Sequence, residues 1–333
     1  MKIRIGTFNL FQFVEPPYSW YTKKEKFTQE EWEGKKAWIK EQITQMNCDI
    51  IGFQEVFSKK ALKALLEELG FKYFKTIDNA RTHKINESVY ISTTVALASK
   101  HPIKSLKKVD IDFSALKKHY FEGFFKFARE PIKATIILPN EKELDVYVCH
   151  LKSNRLNEFE YIFTKDTSMK EKIEKVTKAL KDNYSNSLKQ RLCEASSLYS
   201  NIKRLNKPAI LLTDLNDKEF SLTIDALSNK RYHEEKIKND DFLLIDAYHL
   251  HEQKVYNPHP EFKGLKRTPT SYFAGKGNVL DYIFVSKDFD KKDKNSIAKV
   301  SSYEVFDLHL QKNQNGSLVK SDHAQVVCEL EFS

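Results

Sequence analysis

The sequence predicts an α/β fold in which short strands alternate with amphipathic helices. Five apolar runs are rich in β-branched residues and too short for free-standing helices, so we predict strands at IRIGTF, DIIGF, LDVYV, AILL and VVCEL. The 333 residues contain no Gly-, Pro- or Ser-rich linker, which predicts a single domain over residues 1–333. Hydrophobic residues make up 41% of the chain and aromatic residues 12%, which is enough for a large core.

Two helices are predicted in the first quarter of the chain. Residues 30–46 place Trp38 and other apolar side chains on one side at helical spacing. Residues 58–69 begin at a candidate N-cap, Ser58, and are followed by Gly70, which is typical of a helix C-terminus. We expect both helices to pack on an outer face of a sheet.

A third helix is predicted in the segment LKQRLCEASSLYSNIKRL. A Lys-rich stretch of mixed charge precedes it and indicates a helical insertion at about residues 154–190. Because the charges are mixed in sign, a solvated helical face is favoured over a nucleic-acid grip.

Short polar signatures follow or precede the predicted strands. Any one of these residues alone is an ordinary turn former. They are TFN with Asn9, QEV with Glu55, AREP with Arg129, CHLKS with His150, TDLND with Asp214 and Asn216, LDYIFVS with Asp281, and SDH with Asp322 and His323. Taken together, they predict one site at a sheet edge.

The residue types in these signatures indicate phosphate chemistry. Carboxylate and amide oxygens are the hard donors that magnesium prefers, and no CxxC cluster points to zinc. Two histidines and an arginine add donors that can stabilise the charge of a phosphoryl group in the transition state.

In their order and spacing, these motifs resemble the endonuclease/exonuclease/phosphatase superfamily from Asn9 to His323. TDLND stands where that family commonly has a GDFN-type motif, and FAREP is similar to a segment of pancreatic deoxyribonuclease. Two departures are Thr213 for the usual glycine and Tyr282, which gives LDY for the common LDH. The resemblance implies a four-layer α/β/β/α sandwich with two mostly antiparallel sheets packed face to face and helices outside.

The resemblance also implies a metal site formed by Asn9, Glu55 and Asp322. The expected cofactor is Mg²⁺, with Mn²⁺ or Ca²⁺ as alternatives. Asp214 would accept a proton from the attacking water while Asn216 orients water or phosphate, since an extended segment places residues i and i+2 on one face. The alternative for this pair is a local Asx turn.

The remaining groups are expected to act on the phosphoryl oxygens. By resemblance, His323 would approach the phosphoryl group while Asp281 accepts a hydrogen bond from its other ring nitrogen and fixes the tautomer. His150 and Arg129 would clamp the remaining oxygens, and Arg129 has the alternative of a surface ion pair with its neighbour in the sequence. The predicted catalytic set is His150, Asp214, Asn216, Asp281 and His323, and the predicted phosphate-binding set is Arg129, His150 and Asn216.

A second carboxylate orients the equivalent of His150 in the deoxyribonuclease branch. The candidate for that carboxylate in this chain is Glu87, in the segment INESVY.

The leading functional hypothesis is a magnesium-dependent nuclease that hydrolyses DNA, with RNA as a further substrate, by in-line attack of an activated water. One alternative is a phosphatase or phosphodiesterase for a phosphoinositide or another small phosphoester. The other is a catalytically silent nucleic-acid-binding protein. No oligomeric state is predicted.

The formal net charge of +9 and the pI of about 9.0 favour polyanionic partners. The stretch KGLKRTPTSYFAGKGN, residues 263–278, combines cations with aromatic residues and is a candidate phosphate-tracking loop, with an ordinary solvated loop as the alternative. The phenylalanines of LKKHYFEGFFKFARE are expected to serve core and hinge packing.

The four cysteines lie within or beside apolar segments and form no visible disulfide framework. The sequence contains no membrane-spanning stretch and opens directly on a predicted strand without a signal-peptide pattern, so a cytoplasmic protein is expected. Secretion stays open should the chain be a trimmed form.

Overall fold

The computed structural model describes residues 1–154, 161–233, 242–251, 267–273, 275–312 and 318–333. The strands are β1 Lys2–Phe13, β2 Ser19–Trp20, β3 Ile50–Val56, β4 Tyr73–Lys75, β5 Val89–Tyr90, β6 Thr94–Ser99, β7 Ile103–Lys108, β8 Ile132–Ile137, β9 Glu143–His150, β10 Ala209–Asp214, β11 Ile245–Asp246, β12 Ser271–Phe273, β13 Lys276–Asn278, β14 Asp281–Val285, β15 Ala298–Phe306 and β16 Gln325–Phe332. The α-helices are α1 Gln29–Met46, α2 Lys59–Glu68, α3 Phe113–Lys118, α4 Met169–Lys181, α5 Asn186–Leu205, α6 Leu222–Ser228 and α7 Leu308–Lys312.

Two six-stranded sheets form the centre of the molecule. Their strand orders are β15-β16-β1-β3-β6-β4 and β11-β14-β10-β9-β8-β7. Each sheet contains one parallel pair, β1 with β3 and β9 with β10, and its other neighbours are antiparallel. This arrangement confirms the predicted pair of mostly antiparallel sheets.

Alternation along the strands divides the core into three apolar layers. In β9, Val146 and Val148 face the other sheet, whereas Tyr147 faces the helices. The sheets pack so closely that a Cβ atom at Gly52 would lie 3.0 Å from side-chain atoms of Val148 and Leu212. The two outer layers are closed by helices, α1 and α2 on one side and α4, α5 and α6 on the other, so the predicted four-layer sandwich is confirmed.

The helix predictions hold with small changes at the ends. Trp38 is buried on α1, and Gly70 follows α2 with φ of +84°. Ser58 is the N-cap residue of α2, but its hydroxyl accepts a hydrogen bond from the backbone N–H of Glu15 instead of capping the helix. Within the predicted insertion, α4 packs on α5 through apolar residues such as Val176, while residues 155–160 lie outside the described part of the chain.

All four cysteines are free and buried, as expected. Among the described helices, none has the length and apolar character needed to cross a bilayer.

A buried histidine in the helix-covered layer generates a stability prediction. Nε2 of His119 lies 3.2 Å from the Ser196 hydroxyl and 3.0 Å from the Tyr232 hydroxyl. Burial, assisted by the charge of Lys118, lowers the pKa of His119 from 6.5 to about 3. Between these values the unfolded chain binds one more proton, so stability falls as the pH drops below about 6.5.

We therefore expect His119→Gln, which removes the titrating group, to reduce the pH dependence of folding. The loss of unfolding free energy between about pH 7 and about pH 5 should be smaller in the variant by about 2 kcal/mol, at roughly 1.4 kcal/mol per pH unit. Urea denaturation at both pH values measures this difference. Equal losses in the two proteins would contradict the prediction.

Candidate active site

The strand topology explains why residues distant in sequence meet at one edge. In each sheet the parallel pair brings two carboxyl ends together, so Asn9 and Glu55 lie near the ends of β1 and β3, and His150 and Asp214 end β9 and β10. The antiparallel neighbour β14 begins at the same edge, where Asp281 pairs with Asp214 in the ladder. The site is therefore formed by both sheets.

Irregular backbone shapes the half of the site on the first sheet. The pairing of β1 with β3 shifts register between Asn9 and Phe13, and Gln12 and Glu55 have φ of 58° and 57°. This bulge turns the N–H of Gln12 onto Oε2 of Glu55, at 2.9 Å. Left-handed conformations cost about 1–3 kcal/mol each for residues with a side chain and cluster at functional sites.

Asp214 lies at the centre of the site and is fully buried. Its Oδ2 accepts a hydrogen bond from Nδ2 of Asn9 at 2.9 Å and lies 3.4 Å from Nε2 of His150. Burial raises the pKa of Asp214 from 3.8 to about 7, with the charge of His323 opposing and that of Asp281 adding to the rise. The carboxyl group can therefore exchange a proton near neutral pH.

The second oxygen of Asp214 forms the local turn that we considered as an alternative. Oδ1 accepts the backbone N–H of Asn216 at 2.8 Å, and Asn216 has φ of 50°. The chain therefore turns after β10 and is not extended, so the prediction that i and i+2 share one face of a strand is wrong. The turn instead directs Nδ2 of Asn216 to the Leu151 carbonyl, at 3.1 Å.

Asp281 and His323 form the predicted hydrogen bond, with 2.8 Å between Oδ2 and Nδ1. Burial opposes the charge on His323, but Asp281, Asp214 and Asp322 outweigh it and raise the pKa of His323 well above its usual value. His323 is therefore an imidazolium at neutral pH, with Nε2 3.9 Å from Oδ1 of Asp322.

One group of three potential metal ligands lies close together in the described part of the chain. Ligand atoms of Asp214, Asp281 and His323 lie within 4.8 Å of one another, but Oδ2 of Asp281 and Nδ1 of His323 are already hydrogen-bonded to each other. At the predicted metal site, burial and the charge of Asp322 raise the pKa of Glu55. A desolvated carboxyl group that is repelled by a second, exposed carboxylate fits a divalent cation, and Oδ1 of Asn9 keeps a free lone pair beside its bond to the Phe11 N–H.

His150 is held differently from our expectation. Burial, with the charges of Arg129 and His323, lowers its pKa well below 6.5, so the ring is neutral. Its Nδ1 has no hydrogen-bond partner among the described residues. The prediction that Glu87 orients this ring is wrong, because Glu87 is exposed in the turn that precedes β5.

Arg129 faces the site and not its neighbour in sequence. Its guanidinium donates to the Leu151 carbonyl at 2.9 Å and to the Ser153 hydroxyl at 3.4 Å. Glu130 instead lies 3.6 Å from Lys108. The alternative of a surface pair between Arg129 and Glu130 is therefore excluded.

A buried carboxylate on α5, which our sequence reasoning missed, ties two site loops together. Glu194 accepts the backbone N–H of Ala128 at 2.6 Å, that of Lys152 at 2.7 Å and Nε2 of Gln190 at 2.9 Å. It therefore fixes the backbone next to Arg129 and the loop that follows β9. The signal in the sequence that could have identified Glu194 is a single acidic residue among the small residues of CEASS.

A buried lysine on α1 was also missed. Lys35 is fully buried, donates to the Leu318 carbonyl at 3.1 Å and lies 5.5 Å from the ring centre of Phe11. Burial lowers its pKa to about 7, although Glu55 and Asp322 favour the charged form. Its place three residues after Trp32 in the buried stripe of the helix was the available signal.

The basic stretch over residues 263–278 is only partly described, and Lys263 and Lys266 lie outside the described residues. Arg267 is buried, pairs with Asp246 and lies 5.1 Å from the ring centre of Tyr282. Its assignment to a phosphate-tracking loop is therefore wrong, because its charge is already neutralised inside the protein. Tyr282, the departure from the common LDH motif, belongs to this packing.

The fold is similar to several solved structures. The first is an endonuclease/exonuclease/phosphatase from Beutenbergia cavernae DSM 12333, with 15% identity, coverage of 100% of this chain and 72% of that chain, and a TM-score of 0.58. The human Nocturnin catalytic domain with bound sulfate anion has 18% identity, coverage of 100% and 94%, and a TM-score of 0.56. D. rerio TDP2 complexed with single strand DNA product has 9% identity, coverage of 99% of each chain and a TM-score of 0.55.

No curated protein gives a significant sequence match. Residues 6–323, however, match the Endonuclease/Exonuclease/phosphatase family, and this range includes every predicted site residue. The chain therefore belongs to this family, whose members are hydrolases that act on phosphoester bonds and typically use divalent metals.

Proposed function

We propose that this protein is a magnesium-dependent nuclease that hydrolyses DNA, with RNA as a further substrate. The observation that carries the proposal is that a carboxyl group with a pKa of about 7, Asp214, lies beside an imidazolium, His323. Oδ2 of Asp281 holds this imidazolium through a hydrogen bond of 2.8 Å to Nδ1. A base beside a fixed cation is suited to in-line attack of water on phosphorus. The single strand DNA product in the TDP2 structure supports a nucleic-acid substrate.

In this mechanism Asp214 accepts the proton of the attacking water, and the Asn216 amide orients that water. The His323 imidazolium and the Arg129 guanidinium donate hydrogen bonds to the phosphoryl oxygens as charge develops on them. Asn9, Glu55 and Asp322 would hold Mg²⁺, which supplies Lewis-acid polarisation of a phosphoryl oxygen when bound. One product keeps the phosphate and the other gains a hydroxyl.

The direct test is cleavage of end-labelled single-stranded DNA, duplex DNA and RNA, with magnesium or with EDTA. We expect magnesium-dependent cleavage that falls by about 10²-fold or more in His323→Gln, because a donor to the transition state is lost. Glu55→Gln should need at least about tenfold more magnesium for half-maximal rate. Glu67→Gln, an exposed glutamate on α2, is the matched control. A folded wild type that cleaves phosphoinositides or small phosphodiesters but no nucleic acid would refute the nuclease assignment.

The role of Asp281 is tested by a double-mutant cycle with His323. If Asp281 acts only by positioning the His323 ring, Asp281→Asn should lower kcat with little change in KM. The double variant Asp281→Asn/His323→Gln should then be no slower than His323→Gln alone. Additive losses would contradict this role.

The role of Glu194 is tested by Glu194→Gln. The new amide N–H₂ would face a backbone N–H that the carboxylate now accepts, so one loop loses its anchor. We expect a loss of about 1–3 kcal/mol in unfolding free energy and of about 10²-fold in kcat/KM. Glu174→Gln on the exposed side of α4 is the control. Wild-type kcat/KM in Glu194→Gln would show that the loops do not depend on this carboxylate.

A further inference from the structure

A cavity of about 920 Å³ lies beside Arg129. Apart from Arg129, the side chains that we use to define it have no role in the mechanism proposed above. We call it the aromatic groove and define it by Tyr21, Arg81, Phe124, Lys126, Arg129 and Lys189. Its walls come from the segment after β2, the segments before β5 and β6, the segment between α3 and β8, the loop after β9, and the start of α5. Arg129, the proposed phosphate-binding arginine, is part of this lining.

The charge of the groove fits an anionic ligand. Arg81, Lys126, Arg129, Lys152 and Lys189 line it, and the lining includes one carboxylate, Glu122. Within the described ranges, the exposed Arg81 and Lys126 form no ion pair with a carboxylate, whereas Lys189 is buried and donates to Oδ1 of Asn183. Exposed cations in a groove that also contains Arg129 are suited to successive phosphates of a chain.

An exposed aromatic ring distinguishes the groove from an ordinary basic surface. Phe125 and Phe127 are buried and pack edge to face, as expected for core residues. Phe124 is 89% exposed, which overturns the expectation that it packs inward. The turn at Gly123, with φ of 82°, precedes Phe124, and Tyr21, which also lines the groove, is 50% exposed.

We propose that the aromatic groove binds an unpaired stretch of nucleic acid next to the scissile phosphate, an inference that rests on the proposed nuclease function. A base stacks on Phe124 while neighbouring phosphates contact Arg81 and Lys126. The bases of a duplex already stack on one another, so an exposed ring beside cations selects single strands. The groove thus specifies single-stranded nucleic acid as the substrate class.

Binding without cleavage tests the groove separately from catalysis. Fluorescence anisotropy in EDTA would follow labelled single-stranded DNA, single-stranded RNA and duplex DNA with the wild type and with Phe124→Ala. We expect single-strand affinity to fall about 5- to 150-fold, the range for one lost base stack, with duplex affinity unchanged. Phe113→Ala is the matched control, because Phe113 is 71% exposed on α3 and outside the groove.

The cationic part of the groove has its own readout. Lys126→Gln should weaken single-strand binding and reduce the slope of log affinity against log salt by about 0.7, the value for one phosphate contact. Lys117→Gln on α3 should leave the slope unchanged.

Equal effects of Phe124→Ala and Phe113→Ala on single strands would overturn the proposal, as would an equal loss of duplex binding. The cleavage assay separates the two proposals. Phe124-dependent single-strand binding by a protein that cleaves no nucleic acid would uphold the groove and reject the nuclease. Cleavage that Phe124→Ala leaves unchanged for every substrate would reject the groove and uphold the nuclease.

Discussion

The site depends on one constraint, which is the burial of the Asp214 carboxyl group away from water. The group ends a strand of one sheet, and the Asn9 amide that donates to it belongs to the other sheet. Its pKa rises to about 7 because burial outweighs the neighbouring donors, and it can only be buried when both sheets are packed. The chemistry of the site is thus a property of the closed sandwich.

The sandwich achieves this convergence by using strand direction and local irregularity for different purposes. Parallel pairing within each sheet carries two strand ends to one edge, which places functional groups without any special loop. The orientation of the Glu55 side chain requires a left-handed backbone at this residue and a register shift between β3 and β6. A regular strand ladder supplies neither. At this edge the interior packing of both sheets holds the left-handed backbone of Gln12 and Glu55 in place.

The sequence predicted what depends on local pattern and missed what depends on neighbours. Strands, outer helices and the grouping of polar residues at strand ends follow from periodicity and motif order. The assignment of Glu87 failed because no sequence rule places its turn relative to His150. Glu194 and Lys35 were missed because charged residues are usually solvated, and only packing reveals that their partners are backbone groups inside the protein. The same rule misassigned Arg267, whose partner Asp246 is buried beside it.

Different parts of the fold hold the two cationic side chains of the site, His323 and Arg129. The raised pKa of His323 comes from Asp281 and Asp214 at strand ends and from its neighbour Asp322, so it depends on the sheets and not on α5. Arg129 is instead positioned by the Leu151 carbonyl and by a loop that Glu194 anchors to α5. Since α5 also supplies a wall of the groove, the helix that anchors the loop next to Arg129 also borders the proposed nucleic-acid site. The hydrogen bond between Asp281 and His323 therefore depends on the sheet ends, whereas Arg129 and the groove depend together on α5.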